Sequence, residues 1–134
     1  MGHTRTRDPV RTVALTHGAC NVVGGLWPLL HSRSFEWVFG SKTDRWLQRT
    51  TAGLLLSAGL TQLAAARDPR GLAHARRTGL GTAGTLLAID LVYVPKGTIR
   101  WTYLLDAAME AGWIVAWARC STEAALADAR RAEG

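Results

Sequence analysis

Residues 50–66, TTAGLLLSAGLTQLAAA, form a stretch of 17 positions without a charged residue. At a rise of about 1.5 Å per residue, a helix of this length approaches the thickness of the hydrocarbon core of a bilayer. A helix at the surface of a soluble protein normally carries a broad polar face, and this stretch lacks one. It is therefore the part of the sequence that most directly favours a membrane-embedded helix.

Three further stretches have the same character. Residues 12–30 contain no charged residue when histidine is counted as neutral, and residues 78–95 and 101–118 contain only one and two carboxylates. Trp and Tyr residues collect near the ends of these stretches, as in the aromatic belts at membrane interfaces. We therefore expect an all-α, four-transmembrane-helix bundle with approximate helices 12–30, 47–66, 77–95 and 101–118.

The remaining segments complete a single membrane domain of 134 residues. Residues 1–11 and 119–134 are expected to be polar tails. The connector 31–49 mixes aromatic residues with charges of both signs, which predicts an amphipathic segment at the interface between helices 1 and 2. A soluble four-helix bundle is the alternative, and the mean hydropathy of +0.04 is compatible with it.

The basic character of the chain, with a net charge of +6 and a pI near 10.4, follows from its connectors and tails. With the N-terminus inside, the inside segments hold ten Lys and Arg residues and the outside segments hold six. The positive-inside rule then predicts that both termini are cytoplasmic. We expect a multi-pass protein of the cell (plasma or inner) membrane, with the lipid bilayer as its partner and no nucleic acid.

Helical spacing gathers the polar residues of each apolar stretch on one face. Asp106 and Glu110 are four residues apart and share a face of helix 4. Because helices 1 and 3 run outward and helices 2 and 4 run inward, most of these residues fall in the outer half of the bundle. We predict one polar, acid-lined pocket that opens away from the cytoplasm, formed by Asn21, His31, Arg49, Asp90, Tyr93, Asp106 and Glu110.

Intramembrane carboxylates are costly and are usually functional. Glu110 ranks first because it has no obvious structural partner. Arg49 is expected to keep one carboxylate ionised, and like-charge repulsion predicts that the Asp106/Glu110 pair holds at least one proton at neutral pH. His31 and Tyr93 would shape the mouth of the pocket.

Structural roles for the same residues stay open. Asp106 and Arg49 are equally well explained as an ion pair that sets helix register. Asp90 is compatible with a hydrogen-bonded clamp to Tyr93 or Asn21, and Asn21 alone with a hydrogen bond between helices. His31 is also typical of a residue at the membrane interface.

These features favour a protein that binds a small or lipophilic ligand. The alternatives are a proton- or cation-coupled transporter or channel, assembled as a homo-oligomer, and a structural accessory subunit of a membrane complex. The sequence contains no phosphate-binding loop, metal-binding motif or catalytic triad signature. It therefore predicts no metal ligand, leaves the cofactor and the catalytic residues unknown and leans against an enzyme, although an isomerase that uses a carboxylate to move a proton is compatible with it.

The segments GLWPLLHSRSFEWVFGSKTDRWL (25–47) and DLVYVPKGTIRWTYLLDAAME (90–110) resemble a group of small bacterial four-helix membrane proteins. The resemblance covers roughly residues 15–118 and implies a fold but no activity. In architecture the chain is also similar to DoxX-like proteins and to the sterol-isomerase and sigma-2 receptor group, which places acids in a pocket reached from the membrane. No functional residue is transferred from these families.

Overall fold

The computed structural model describes residues 8–134, which contain five α-helices, one 3-10 turn at Pro69–Gly71 and no strand. This confirms the all-helical prediction over the described part of the chain. The helices are α1 (Pro9–Leu30), α2 (Ser32–Phe39), α3 (Arg45–Ala65), α4 (Leu72–Tyr93) and α5 (Tyr103–Glu133).

Two helices extend into the segments that were expected to be polar tails. α1 begins at Pro9, because the side chain of Asp8 accepts a hydrogen bond from the Val10 backbone nitrogen at 3.0 Å and proline suits the first helical position. α5 continues across residues 119–133, where alanine is frequent and two arginines in the last turn complement the helix dipole. Residues 1–7 of the predicted N-terminal tail lie outside the described residues.

α2 lies within the connector that was predicted to be an amphipathic segment, and it is a short helix. It ends at Gly40, whose φ of +90° favours glycine. Two hydrogen bonds attach α2 to the chain just before α5: Thr102 Oγ1 donates to the carbonyl of Val38 at 2.7 Å, and the Arg100 guanidinium donates to the carbonyl of Trp37 at 3.0 Å. α2 therefore covers the end of the bundle at which α4 ends and α5 begins.

The four long helices pack as antiparallel neighbours. α1 packs most extensively on α3 and α4 on α5, while α1 also contacts α4 and α5. The Cβ of a side chain at Gly25 of α1 would lie 2.6 Å from both the Ala52 carbonyl oxygen and the Leu56 backbone nitrogen of α3. At Gly59 of α3, it would lie 2.7 Å from the Val22 backbone nitrogen. Glycine is therefore required where the two backbones touch.

The interior of the bundle contains small and polar side chains, whereas large apolar side chains lie on its surface. Six of the eight buried apolar residues are alanines, and the other two are Trp117 and Cys120. A soluble bundle places its leucine, isoleucine and valine side chains inside; here many of them point outward. The exposed ones include Val23, Leu30, Leu54, Leu60, Ile89, Leu91, Leu105 and Val115.

One helix of the described residues, α1, is both long and apolar enough to cross a membrane. The core helix of a soluble protein or an N-terminal signal sequence would meet the same criterion. Helix length and composition thus support one of the four predicted membrane spans. For the described residues, the structure establishes an all-helical bundle. The orientation of the termini is a matter for the proposal below.

The contact between α1 and α3 generates a stability prediction with a neighbouring control. Gly25→Ala should lower the free energy of unfolding by about 1–3 kcal/mol, because the added carbon meets backbone atoms that cannot move independently. Gly24→Ala should leave it unchanged or raise it by up to about 1 kcal/mol, since alanine favours helix and its Cβ meets only a Leu55 methyl group at 3.5 Å. Unfolding in detergent micelles, followed by circular dichroism, measures both. Equal effects of the two substitutions would contradict the close backbone contact.

Candidate functional site

The first polar cluster, which we call the acid cluster, consists of Asp90, Asp106 and Glu110. Asp90 lies in the last turn of α4 and Asp106 in the first turn of α5, and their side chains lie within hydrogen-bonding reach of each other. Glu110 follows one turn later on α5. Asp90 and Glu110 are each 2% exposed, and Asp106 is partly buried. The fold therefore places these three predicted residues at the same end of α4 and α5.

No cation of the described residues forms an ion pair with the acid cluster. The one salt bridge among residues 8–134 joins Arg131 to Asp128 at 3.9 Å on the surface of α5. Two buried oxygens of the cluster, Asp90 Oδ2 and Glu110 Oε2, have no hydrogen-bond partner. A hydrogen bond between the carboxyl groups of Asp90 and Asp106 requires a hydrogen on one of them, and burying an unpaired charge is costly. The cluster thus offers free acceptor atoms to a hydrogen-bond donor or a cation.

Aromatic side chains form the mouth of the acid cluster. Tyr103 lies one turn before Asp106, and its phenol is close enough to interact with the charges of Asp106 and Asp90. The rings of Phe39 and Tyr103 pack with centroids 4.7 Å apart. The ammonium group of Lys42 lies 4.7 Å from the centroid of the Tyr103 ring. α2 and the residues after it therefore cover this end of the cluster.

Three residues predicted to line the pocket lie elsewhere. Arg49 is exposed and makes no ion pair, because α3 turns a different face inward. His31 is exposed and caps α2, where its Nδ1 accepts a hydrogen bond from the Ser34 backbone nitrogen at 3.2 Å. Tyr93 is 38% exposed, with the Lys96 ammonium 5.5 Å from its ring centroid. The expected ion pair and the expected mouth residues are thus corrected.

The second polar cluster, which we call the amide–indole cluster, consists of His17, Asn21, Gln62 and Trp117. Asn21 Nδ2 donates to Gln62 Oε1 at 3.1 Å, and Trp117 Nε1 donates to His17 Nδ1 at 3.0 Å. An indole nitrogen can only donate, so the neutral His17 ring must carry its hydrogen on Nε2. Asn21, predicted as part of the acid-lined pocket, therefore belongs to a hydrogen bond between α1 and α3.

Gly79 of α4 allows the amide–indole cluster to form. The Cβ of a side chain at this position would lie 2.6 Å from Gln62 Nε2, 2.8 Å from Trp117 Nε1 and 2.9 Å from His17 Nδ1. All four long helices consequently meet at one point. On α5, Trp113 stacks on the His17 ring at 4.6 Å and lies one turn after Glu110, so the two clusters are neighbours along the bundle.

The predicted site residues did not include His17, Tyr103 or Trp117, and they also missed Gln62. It is fully buried and shares the inward face of α3 with Ala52, Gly59 and Ala66, all of which are buried. The available signal was the spacing of these small residues, which recur every seven positions, with Gln62 three positions after Gly59. The face of α3 that was predicted to point inward contains Arg49, which is exposed.

A shallow groove of about 410 Å³ lies between α3 and α4, lined mainly by leucine, threonine and glycine. Two of its threonines satisfy their hydroxyl groups within α4: Thr82 donates to the Thr78 carbonyl and Thr85 to the Gly81 carbonyl. The groove contains no member of either polar cluster. Its lining is mostly apolar and provides few free polar groups that could bind a ligand.

The hydrogen bond between Asn21 and Gln62 can be tested by a double-mutant cycle. Asn21→Leu and Gln62→Leu should each lower the free energy of unfolding by about 1–3 kcal/mol, because each leaves a buried amide unpaired. The double variant should lose less than the sum of the two, since no unpaired amide remains. Denaturant unfolding in micelles measures the cycle, with the exposed Ser57→Ala on α3 as the control. Strict additivity would count against the bond.

Comparison of the chain with models of protein families, with curated proteins and with solved structures found no match. The resemblance to DoxX-like proteins therefore stays a prediction. The chemistry of the two polar clusters is what bears on function.

Proposed function

We propose that this chain is a multi-pass protein of the cell membrane whose acid cluster binds a small or lipophilic ligand in the outer half of the bundle. α1, α3, α4 and α5 would cross the bilayer, α2 would lie at its outer interface, and both termini would be cytoplasmic. The observation that carries the binding role is the presence of two buried, unpartnered carboxyl oxygens, on Asp90 and Glu110.

The membrane location is supported by the side chains on each side of the helices. Leucine and valine side chains such as Leu30 (77% exposed) and Val23 (66% exposed) would be unfavourable in water and favourable in lipid. Small residues inside allow the close helix contacts that stabilise bundles in membranes. The excess of Lys and Arg on the inside segments supports the proposed orientation.

The binding role is supported by the contrast between the two clusters. In the amide–indole cluster, Asn21 donates to Gln62 and Trp117 donates to His17, and the two nitrogens left without a partner among the described residues, His17 Nε2 and Gln62 Nε2, belong to side chains that can stay neutral. The acid cluster instead contains three ionisable carboxyl groups, and no cation of the described residues forms a salt bridge with them. A ligand that donates hydrogen bonds or carries a positive charge would satisfy Asp90 and Glu110 at once.

A proton- or cation-coupled transporter or channel, assembled as an oligomer, is the second candidate. It is favoured by the succession of polar groups along the interior, from Asp90 through Glu110 to His17 and Gln62. An accessory subunit is the third, in which these groups would only specify packing. In that case Glu110→Gln should be neutral or stabilising, because it removes a buried ionisable group without a partner.

The topology can be tested with fusion reporters. A green fluorescent protein attached after Gly134 should fluoresce and an alkaline phosphatase in the same place should be inactive, because the C-terminus is proposed to be cytoplasmic. A phosphatase fused after Gly97, between α4 and α5, should be active. Release of the chain from membranes by alkaline carbonate would contradict the membrane location itself.

Ligand binding can be tested by native mass spectrometry of the protein extracted from its own membranes. The wild type should carry an additional mass that Glu110→Gln lacks, because the substitution removes the carboxyl group with the unpartnered oxygen. Glu123→Gln, which changes an exposed glutamate of the same helix, should keep the mass. Identical spectra from all three proteins would contradict the proposed binding role.

A further inference from the structure

Lys42 places a positive charge at the mouth of the acid cluster. Its ammonium group lies 4.7 Å from the centroid of the Tyr103 ring, within the range of a cation–π interaction. The side chain is partly buried. This burial lowers the pKa of Lys42, and the nearby Glu36 carboxylate opposes the lowering.

Tyr103 connects this cation with the acids. Its ring receives the Lys42 ammonium and packs against Phe39, while its phenol interacts with the charges of Asp106 and Asp90. The Tyr103 ring thus contacts Lys42 and stands one turn before Asp106 on α5. An aromatic face beside unpaired carboxyl groups is a combination that recognises organic cations.

Lys42 also has an alternative partner. Glu36 Oε1 is buried and has no hydrogen-bond partner, and the two side chains attract each other without forming a salt bridge within 4.0 Å. The ammonium group can consequently leave the Tyr103 ring and still meet a negative charge. Leaving the ring would cost less than it would for a lysine without an acidic neighbour.

We propose that the ligand of the acid cluster is a lipophilic cation, and that Lys42 occupies the position of its charged group on Tyr103 until the ligand binds. This inference rests on the proposed function. The arriving cation displaces the Lys42 ammonium from the Tyr103 ring toward Glu36, while Asp90 and Glu110 supply the negative charge. A cation is favoured over a neutral donor, because it gains both the aromatic face and the unpaired carboxyl groups.

The probe is a phenylalkyl trimethylammonium ion, compared with its uncharged tert-butyl isostere, and binding to the full chain in micelles is measured by calorimetry. The wild type should bind the cation at least tenfold more tightly than the isostere. Lys42→Met should bind it severalfold more tightly than the wild type, because the internal competitor is gone. Glu36→Gln should bind it severalfold more weakly, because the displaced lysine loses its alternative partner.

Tyr103 provides a matched pair. Tyr103→Phe keeps the aromatic face and should stay within about threefold of the wild type, whereas Tyr103→Leu should lose about tenfold in affinity, the range of a single cation–π contact. Circular dichroism melting identifies any variant that fails to fold. If Tyr103→Leu does not fold, the opposite changes in affinity of Lys42→Met and Glu36→Gln still test the proposed role of Lys42.

The outcomes separate this inference from the proposed function. If Glu110→Gln abolishes binding of the cation while Lys42→Met and Tyr103→Leu leave it unchanged, the role of Lys42 is wrong and the acid site stands. If the wild type does not prefer the cation over its isostere, the ligand class is wrong, while the native mass experiment still tests the site. If Glu110→Gln binds the cation as tightly as the wild type does, the acid cluster is not the site and both proposals fail.

Discussion

α1 and α3 approach so closely at Gly25 that the peptide groups of Ala52 and Leu56 occupy the space in which a side chain would stand. This contact constrains the rest of the bundle. No side chain fits between the two backbones at this point, and the buried residues of the described chain are mainly alanine, glycine and a few polar groups, with Trp117 as the one large apolar side chain among them. Large apolar side chains must then lie on the outside, which is favourable in a bilayer and unfavourable in water.

The narrow interior also explains how distant polar residues come together. Gly79 permits α4 to contact side chains from the three other long helices, and His17, Gln62 and Trp117 meet at its Cα. Buried polar groups at such a junction favour one helix register over others, because a shift would leave them unpaired. The amide–indole cluster is accordingly the junction at which the four long helices of the described residues meet.

α2 lies over the end of the bundle that holds the acid cluster. It is attached to the start of α5 by hydrogen bonds from Thr102 and Arg100, and it carries Phe39 onto the Tyr103 ring. The segment that follows brings Lys42 onto the same ring. The connector between the first two long helices thus covers the end of the bundle that holds the acid cluster.

The amino-acid sequence by itself determined the helical class, and it predicted an amphipathic segment between the first two long helices and the inward faces of α1, α4 and α5. These follow from helical periodicity, which is local: Asp90, Asp106 and Glu110 lie on the faces that their spacing predicts. The inward face of α3 was predicted wrongly, because the Arg49 face and the Gln62 face both contain small residues and differ only in which one meets α1. The sequence also did not determine whether Tyr93 or Tyr103 lies beside the acids, since each of the two stands three residues from an aspartate. Only the tertiary structure decided it, because α2 packs against the beginning of α5 and leaves the end of α4 exposed.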